Sequence, residues 1–151
     1  MQKITPFLWF DGKAEEAMNF YTSIFKNSKV ISAVPGPDGK VMMATFELDG
    51  QKFHALNGGP EFKFNEAISF FVNCETQEEI DEKWSKLSAQ GEEGQCGWLK
   101  DKFGLSWQIV PPVLGQLLGD KDRSKANRVM QAMLKMRKID IKTLKQAYDQ
   151  Q

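Results

Sequence analysis

The sequence predicts an α+β protein made of two tandem βαβββ modules followed by a helical extension. Three observations carry this reading: an internal repeat, turn signals that cut each copy into four strands and a helix, and a C-terminal segment of helical periodicity outside the repeat. The expected boundaries are residues 1–60, 61–112 and 113–151, all within one structural domain.

Ile4–Phe10 (ITPFLWF) is rich in strand formers and ends at Asp11-Gly12. Residues 13–25 place Ala14, Ala17, Met18, Tyr21, Ile24 and Phe25 at helical spacing, with Glu15 and Glu16 near the positive end of the helix dipole. Val30–Val34 reads as a strand that Pro35-Gly36-Pro37-Asp38-Gly39 cannot continue. Val41–Leu48 and Lys52–Leu56 are two strands joined by Asp49-Gly50, a dipeptide suited to a tight hairpin. The second copy opens with Ala67–Asn73 as a strand. Thr76 with Glu79 then forms a capping-box signature for a helix reaching about Ala89. Short strands follow around Glu93–Cys96, Trp98–Lys102 and Leu105–Val110, and Pro111-Pro112 stops the last.

The repeat itself is read by sliding the chain on itself. A shift of 63 pairs Phe7-Leu8-Trp9 with Phe70-Phe71-Val72, Ala17 with Ile80, Tyr21 with Trp84 and Ile24 with Leu87. A shift of 54 pairs Gly50 with Gly104, Phe53 with Trp107, His54 with Gln108, Ala55 with Ile109 and Leu56 with Val110. A unit of this size cannot bury its apolar sheet face alone, so two copies should pair their sheets.

Composition narrows the function classes. The 151 residues carry 20 basic and 20 acidic side chains, one histidine and two cysteines. A net charge of zero argues against a nucleic-acid or membrane-surface coat. No apolar run approaches the length needed to cross a bilayer. Met1-Gln2-Lys3-Ile4 has no signal-peptide layout, and two cysteines are too few for a disulfide framework, so a cytoplasmic location is expected. The zero is also uneven: residues 1–118 carry 11 basic and 16 acidic groups, residues 119–151 carry 9 and 4. The basic tail is expected to lie across the acidic body, its own or a partner's, with Met130, Met133 and Leu134 inward.

Several chemistries lack their motif. There is no G-x-G-x-x-G after a strand, no P-loop lysine and no G-x-S-x-G elbow. The aromatic residues Phe7, Trp9, Phe53, Phe70, Phe71, Trp98 and Trp107 crowd short strands, where a small apolar ligand could stack. His54 is the one side chain with an unperturbed pKa near neutrality, and it alternates with Phe53 and Ala55, sharing a face with Lys52 and Leu56. A nucleophilic Cys96 would have to use His54 as its base.

The segments ITPFLWFDGKAEEAMNFYTSIF, KFHALNGGP, GLSWQIVPP and ANRVMQAMLKMRKIDIKTLKQAY together resemble the vicinal-oxygen-chelate superfamily. This superfamily includes glyoxalase I, bleomycin-resistance proteins and extradiol dioxygenases. More narrowly, the chain resembles the PhnB-like branch labelled 3-demethylubiquinone-9 3-methyltransferase domain. The resemblance covers essentially the whole chain and implies cupped mixed sheets around a cavity, completed by homodimerisation. It also implies metal positions on the first and last strand of each module. The last-strand positions fall on His54 and Gln108. The first-strand positions fall near Thr5–Phe7 and Ala67–Ser69, which contain no His, Asp or Glu.

The expectation is therefore a homodimer that binds a small organic molecule in an aromatic cup lined by Trp9, His54, Leu56, Ser69 and Gln108, with His54 as the catalytic candidate. No cofactor is expected, and the ligand set for a divalent metal is incomplete. A metal-assisted lyase, isomerase or dioxygenase and a protein-interaction module are the alternatives. The methyltransferase label finds no cofactor motif, since a Gly-rich first turn and alternating parallel strands are both missing from the pattern.

Overall fold

The computed structural model describes residues 2–150. The chain divides into two compact units, residues 1–63 and 64–151. The first comprises β1 (Phe7–Phe10), α1 (Ala14–Ile24), β2 (Lys29–Pro35), β3 (Val41–Leu48) and β4 (Gln51–Asn57). Its four-stranded sheet has the order β1-β4-β3-β2, with β1 parallel to β4 and the other pairs antiparallel. The second comprises β5 (Ser69–Asn73), α2 (Gln77–Ser88), β6 (Glu92–Glu93), β7 (Trp98–Lys100) and β8 (Ser106–Val110). Its order, β5-β8-β7-β6, repeats the first. Three helices follow: α3 (Pro112–Leu118), α4 (Arg123–Leu134) and α5 (Ile141–Asp149).

Local chemistry places these elements. Asp49 and Gly50 both have positive φ, 49° and 82°, the backbone that a two-residue hairpin between twisted strands requires. The Thr76 hydroxyl accepts the Glu79 amide at 3.2 Å and caps α2. In each unit, one sheet face is covered by the unit's own helix. Tyr21 of α1 stacks on Phe46, which stacks on Phe53 with centroids 5.5 Å apart. Ile80, Trp84 and Leu87 of α2 are buried like Leu99, Trp107 and Ile109 of their sheet.

Several strands are shorter than expected: β7 ends at Lys100 and not Lys102, and β8 begins at Ser106 and not Leu105. β1 begins at Phe7 and β5 at Ser69, and Ile4 and Ile68 before them are exposed. The strand expected at Glu93–Cys96 is found at Glu92–Glu93, because Cys96 and Gly97 turn the chain with φ of 59° and 87°. A Cβ at Gly97 would lie 3.0 Å from both the Ile109 carbonyl and the Ile139 side chain, so glycine is also required for close approach.

The first-strand alignment of the repeat is displaced by one residue. His54 has Phe7 as its β1 partner, and Gln108 has Phe71 as its β5 partner. With His54 and Gln108 equivalent, the first strands align at a shift of 64, not 63. A one-residue slip moves every side chain to the opposite face. Trp9 corresponds to Asn73 and not to Val72. The helices keep the shift of 63, so the connection from strand to helix is one residue shorter in the second copy.

The tail packs within the second unit. Val110, Leu114, Val129, Ile139 and Leu144 form its buried cluster, with Met133, Met136 and Tyr148 against it. Gly97 and Cys96 donate backbone hydrogen bonds to Arg137 and Met136 at 2.8 Å each. Lys138 pairs with Asp81 of α2 at 2.8 Å. Met133 is inward as expected, but Met130 and Leu134 are 36% and 51% exposed. At 100° per residue, Val129, Met133 and Met136 already complete the buried stripe, and the other two fall beside it.

Candidate functional site

Strand alternation gives each sheet a second face opposite its own helix, here termed the open face. In the first unit this face carries two rows. One runs Ser32, Thr45, His54, Phe7 across β2, β3, β4 and β1; the next runs Val34, Met43, Leu56, Trp9. Trp9, His54 and Leu56 are thus brought together on one surface. The neighbours Phe53 and Ala55 point to the helix side and are buried.

His54 is half-buried, and its Nδ1 lies 2.9 Å from the Thr45 hydroxyl. The Phe7 ring is 5.8 Å from the imidazole, centroid to centroid. One ring nitrogen is thus engaged within the protein, and Nε2 is the atom left for a ligand. Trp9 donates its indole N–H to the Gly59 carbonyl at 2.9 Å, and Phe62 meets the ring edge-on at 4.9 Å. Gly58 lies against the same indole: a Cβ there would fall on the six-membered ring. The 58–62 segment is folded onto Trp9 and fixes the ring as one wall of the face.

On the second sheet the open face also carries two rows. Ser69, Ser106 and Lys100 form one across β5, β8 and β7; Phe71, Gln108 and Trp98 form the other. The Gln108 amide donates to Ser69 Oγ at 2.9 Å, so these two expected residues do meet. Lys100 pairs with Glu66, which holds the Glu66 carboxyl below the ordinary carboxylate range and raises the Lys100 ammonium.

The aromatic set divides by face. Phe7, Trp9, Phe71 and Trp98 stand on open faces. Phe53, Phe70 and Trp107 are on the helix sides; Phe70 tilts against Trp107 at 5.5 Å, and Trp107 donates to the buried Asp101 carboxylate at 2.9 Å. The expectation that Phe53 and Trp107 could stack a ligand is corrected, since both are core; Phe70 is half-buried against Trp107.

Thr45, Phe62, Ser106 and Lys100 belong to these surroundings and were not singled out in the sequence. Thr45 had a readable signal, because the Asp49-Gly50 loop sets the register that places it opposite His54.

The first sheet sets few donors beside His54. Its row offers Phe7, Thr45 and Ser32, and Nδ1 is already bonded to Thr45. Among the described residues, no three His, Cys, Asp or Glu side chains group so as to hold a metal ion. Among the same residues, no helix is long and apolar enough to cross a membrane.

Two parallel-edged βαβββ sheets in tandem define a class: the glyoxalase/bleomycin-resistance/dioxygenase fold of the vicinal-oxygen-chelate superfamily. Within it, the family model described as 3-demethylubiquinone-9 3-methyltransferase matches residues 2–110, and the chain belongs to that family. A Bacillus cereus PhnB protein bearing the same methyltransferase name is 43% identical, with a TM-score of 0.69 over 73% of this chain and 99% of that one. A Pseudomonas aeruginosa protein is 19% identical, with a TM-score of 0.59 over 72% of this chain and 96% of its own. The fosfomycin resistance protein FosX of Listeria monocytogenes is 16% identical, with a TM-score of 0.57 over 79% and 98%. No curated protein matches. The family match ends at Val110, so α3, α4 and α5 lie outside it.

Proposed function

We propose that the chain binds a small organic molecule with an apolar, largely aromatic body, seated on the open face of the first sheet without a complete metal site. The observation that supports this reading is the pairing of Trp9 and Leu56, and of Phe7 and His54, in adjacent rows of one surface. Apolar walls around a single convergent polar group are the usual make-up of a small-molecule site. Thr45 holds the His54 ring, so Nε2 is directed at a ligand as a hydrogen-bond partner or general base. The reading also takes the protein to be a cytoplasmic homodimer. The 52% exposure of Phe7 and the 54% exposure of Phe71 suit surfaces that another chain covers, and both cysteines are free thiols.

The test is a screen of small aromatic compounds by calorimetry against the full chain and its His54→Ala variant. Binding that weakens about tenfold or more in His54→Ala supports the assignment. Binding unchanged by that substitution removes His54 from the site. A stoichiometric divalent ion in protein purified without chelator would favour the metal-assisted alternative.

A further inference from the structure

The second sheet contains an unexplained atom. Ser106 is 1% exposed, and among the described residues its Oγ has no hydrogen-bond partner. A buried hydroxyl left unsatisfied costs about 1–3 kcal/mol, so the sequence would do better with alanine there unless the group is used. Its register partners are Ser69 on one side and Lys100 on the other. Two residues along the strands, roughly 7 Å away, Phe71 and Trp98 flank Gln108. Hydroxyls and a cation therefore sit at one end of this face, and two rings with an amide between them at the other.

We propose that this face is a subsite for an aromatic carboxylate. The ring lies between Phe71 and Trp98 over the Gln108 amide, and the carboxylate accepts from Ser106 Oγ and Ser69 Oγ beside the Lys100 ammonium. The proposal rests on the small-molecule reading above and adds the chemical class of the ligand.

Lys100 already holds a carboxylate, that of Glu66. Glu66 is thus the protein's own carboxylate on this cation, with Glu92 the register partner of Lys100 on β6. Both side chains of this pair are substantially exposed, and exposed pairs contribute little, so a ligand carboxylate exchanges readily with Glu66. A carboxylate beside Lys100 would give the Ser106 hydroxyl, its register neighbour, the acceptor it lacks. Hydrogen bonds to an ionised acceptor are the stronger kind, which gives the acid its advantage over a neutral analogue.

The experiment compares benzoate with benzamide on the full chain, Ser106→Ala and Glu66→Gln, reading Kd from titrations and location from the NMR shift of the Gln108 side-chain amide. Benzoate is expected to bind about tenfold tighter than benzamide and to move the Gln108 signal. Ser106→Ala should remove most of that preference while raising the thermal midpoint of the ligand-free protein. Glu66→Gln should tighten benzoate several-fold and leave benzamide unchanged. If the two ligands bind alike in all three proteins, the small-molecule reading stands and the acid subsite is overturned. If Ser106→Ala lowers the midpoint and keeps the preference, Ser106 is structural and the subsite is overturned. If neither ligand nor any compound of the wider screen binds, both readings fall.

Discussion

The Thr45 hydroxyl and His54 Nδ1 lie 2.9 Å apart as directly opposed residues of β3 and β4. This contact fixes which imidazole nitrogen faces the open side of the sheet. Thr45→Val keeps the shape and removes the partner. We expect one tautomer of His54 to dominate in the native protein and a mixture to form in Thr45→Val, read from the two ring nitrogen shifts. Ligand affinity should fall with it, by less than in His54→Ala.

Gly58 and Trp9 make a second constraint. The indole lies where a Gly58 side chain would be, so Gly58→Ala forces the ring or the loop to move. Overpacking of this kind costs about 1–3 kcal/mol. The displaced ring also loses its bond to the Gly59 carbonyl and its edge contact with Phe62. A lowered urea midpoint and altered tryptophan fluorescence should appear together; a midpoint equal to the native one would show that the loop yields freely.

The two cysteines should differ sharply in reactivity. Cys74 is buried beside Glu79, and desolvation with that carboxylate pushes its thiol up to about 12. At pH 8 about one part in ten thousand is thiolate, and the thiolate is the reactive form. Cys96 is half-buried at a turn. A thiol reagent at pH 8 should therefore titrate one equivalent in the folded chain and two after unfolding, and Cys96→Ser should abolish the first.

One side-chain amide joins α2 to the start of the last helix. Gln77 donates to the Ile139 carbonyl at 3.0 Å and accepts the Ile141 N–H at 2.9 Å, so one side chain satisfies the backbone on both sides of Asp140. Gln77→Glu keeps the acceptor, loses the donor to Ile139 and to Asp81 Oδ1 (2.9 Å), and sets a second carboxylate beside Asp81. It should cost about 1 kcal/mol or slightly more and make residues 139–141 the first to exchange amide hydrogens. Gln77→Leu loses the acceptor as well and leaves the Ile141 N–H unpaired, but adds no charge beside Asp81.

What could be read from the sequence followed local rules. The Asp49-Gly50 hairpin fixes the β3–β4 register residue by residue, and the Thr76 cap fixes the start of α2. Both are short-range, so the residues that decide them are neighbours in the chain. The parallel pairs β1–β4 and β5–β8 join segments more than 30 residues apart, and no turn sets their register. A one-residue slip therefore passed unnoticed in the first strand of the repeat, where Phe70-Phe71 offers two aromatic residues for the single Phe7. The same register places Ser106 between Ser69 and Lys100, and the candidate anion position was invisible for that reason. Trp107 and Trp98 look alike in composition, and only the pairing of β7 with β8 sends one to the core and the other to the open face. Met130 and Leu134 are apolar like Val129, but their angle around α4 puts them beside its buried stripe.

Tyr148 and Asp120 close the last helix against the loop before α4, and their contact predicts how the tail responds to pH. The phenol donates to Asp120 Oδ2 at 2.6 Å, with the Lys125 ammonium 4.9 Å from the ring centroid and the Asp122 and Asp149 carboxylates contributing charge nearby. The bond to Tyr148 lowers the Asp120 carboxyl, and the bond to Asp120 raises the Tyr148 phenol. A lowered carboxyl contributes stability above its unfolded value and loses it as pH falls through the folded one. A raised phenol contributes below its unfolded value and loses it as pH rises through the folded one. The contact should therefore hold across neutral pH and weaken at both extremes. Ultraviolet titration should show Tyr148 ionising above the ordinary tyrosine range, and Asp120→Asn should bring it back toward that range. Tyr148→Phe should flatten the acid limb of tail stability, measured by hydrogen exchange in α5, while the rest of the second unit keeps its profile. A Tyr148 that titrates alike in native and Asp120→Asn protein would show that the bond does not persist in solution.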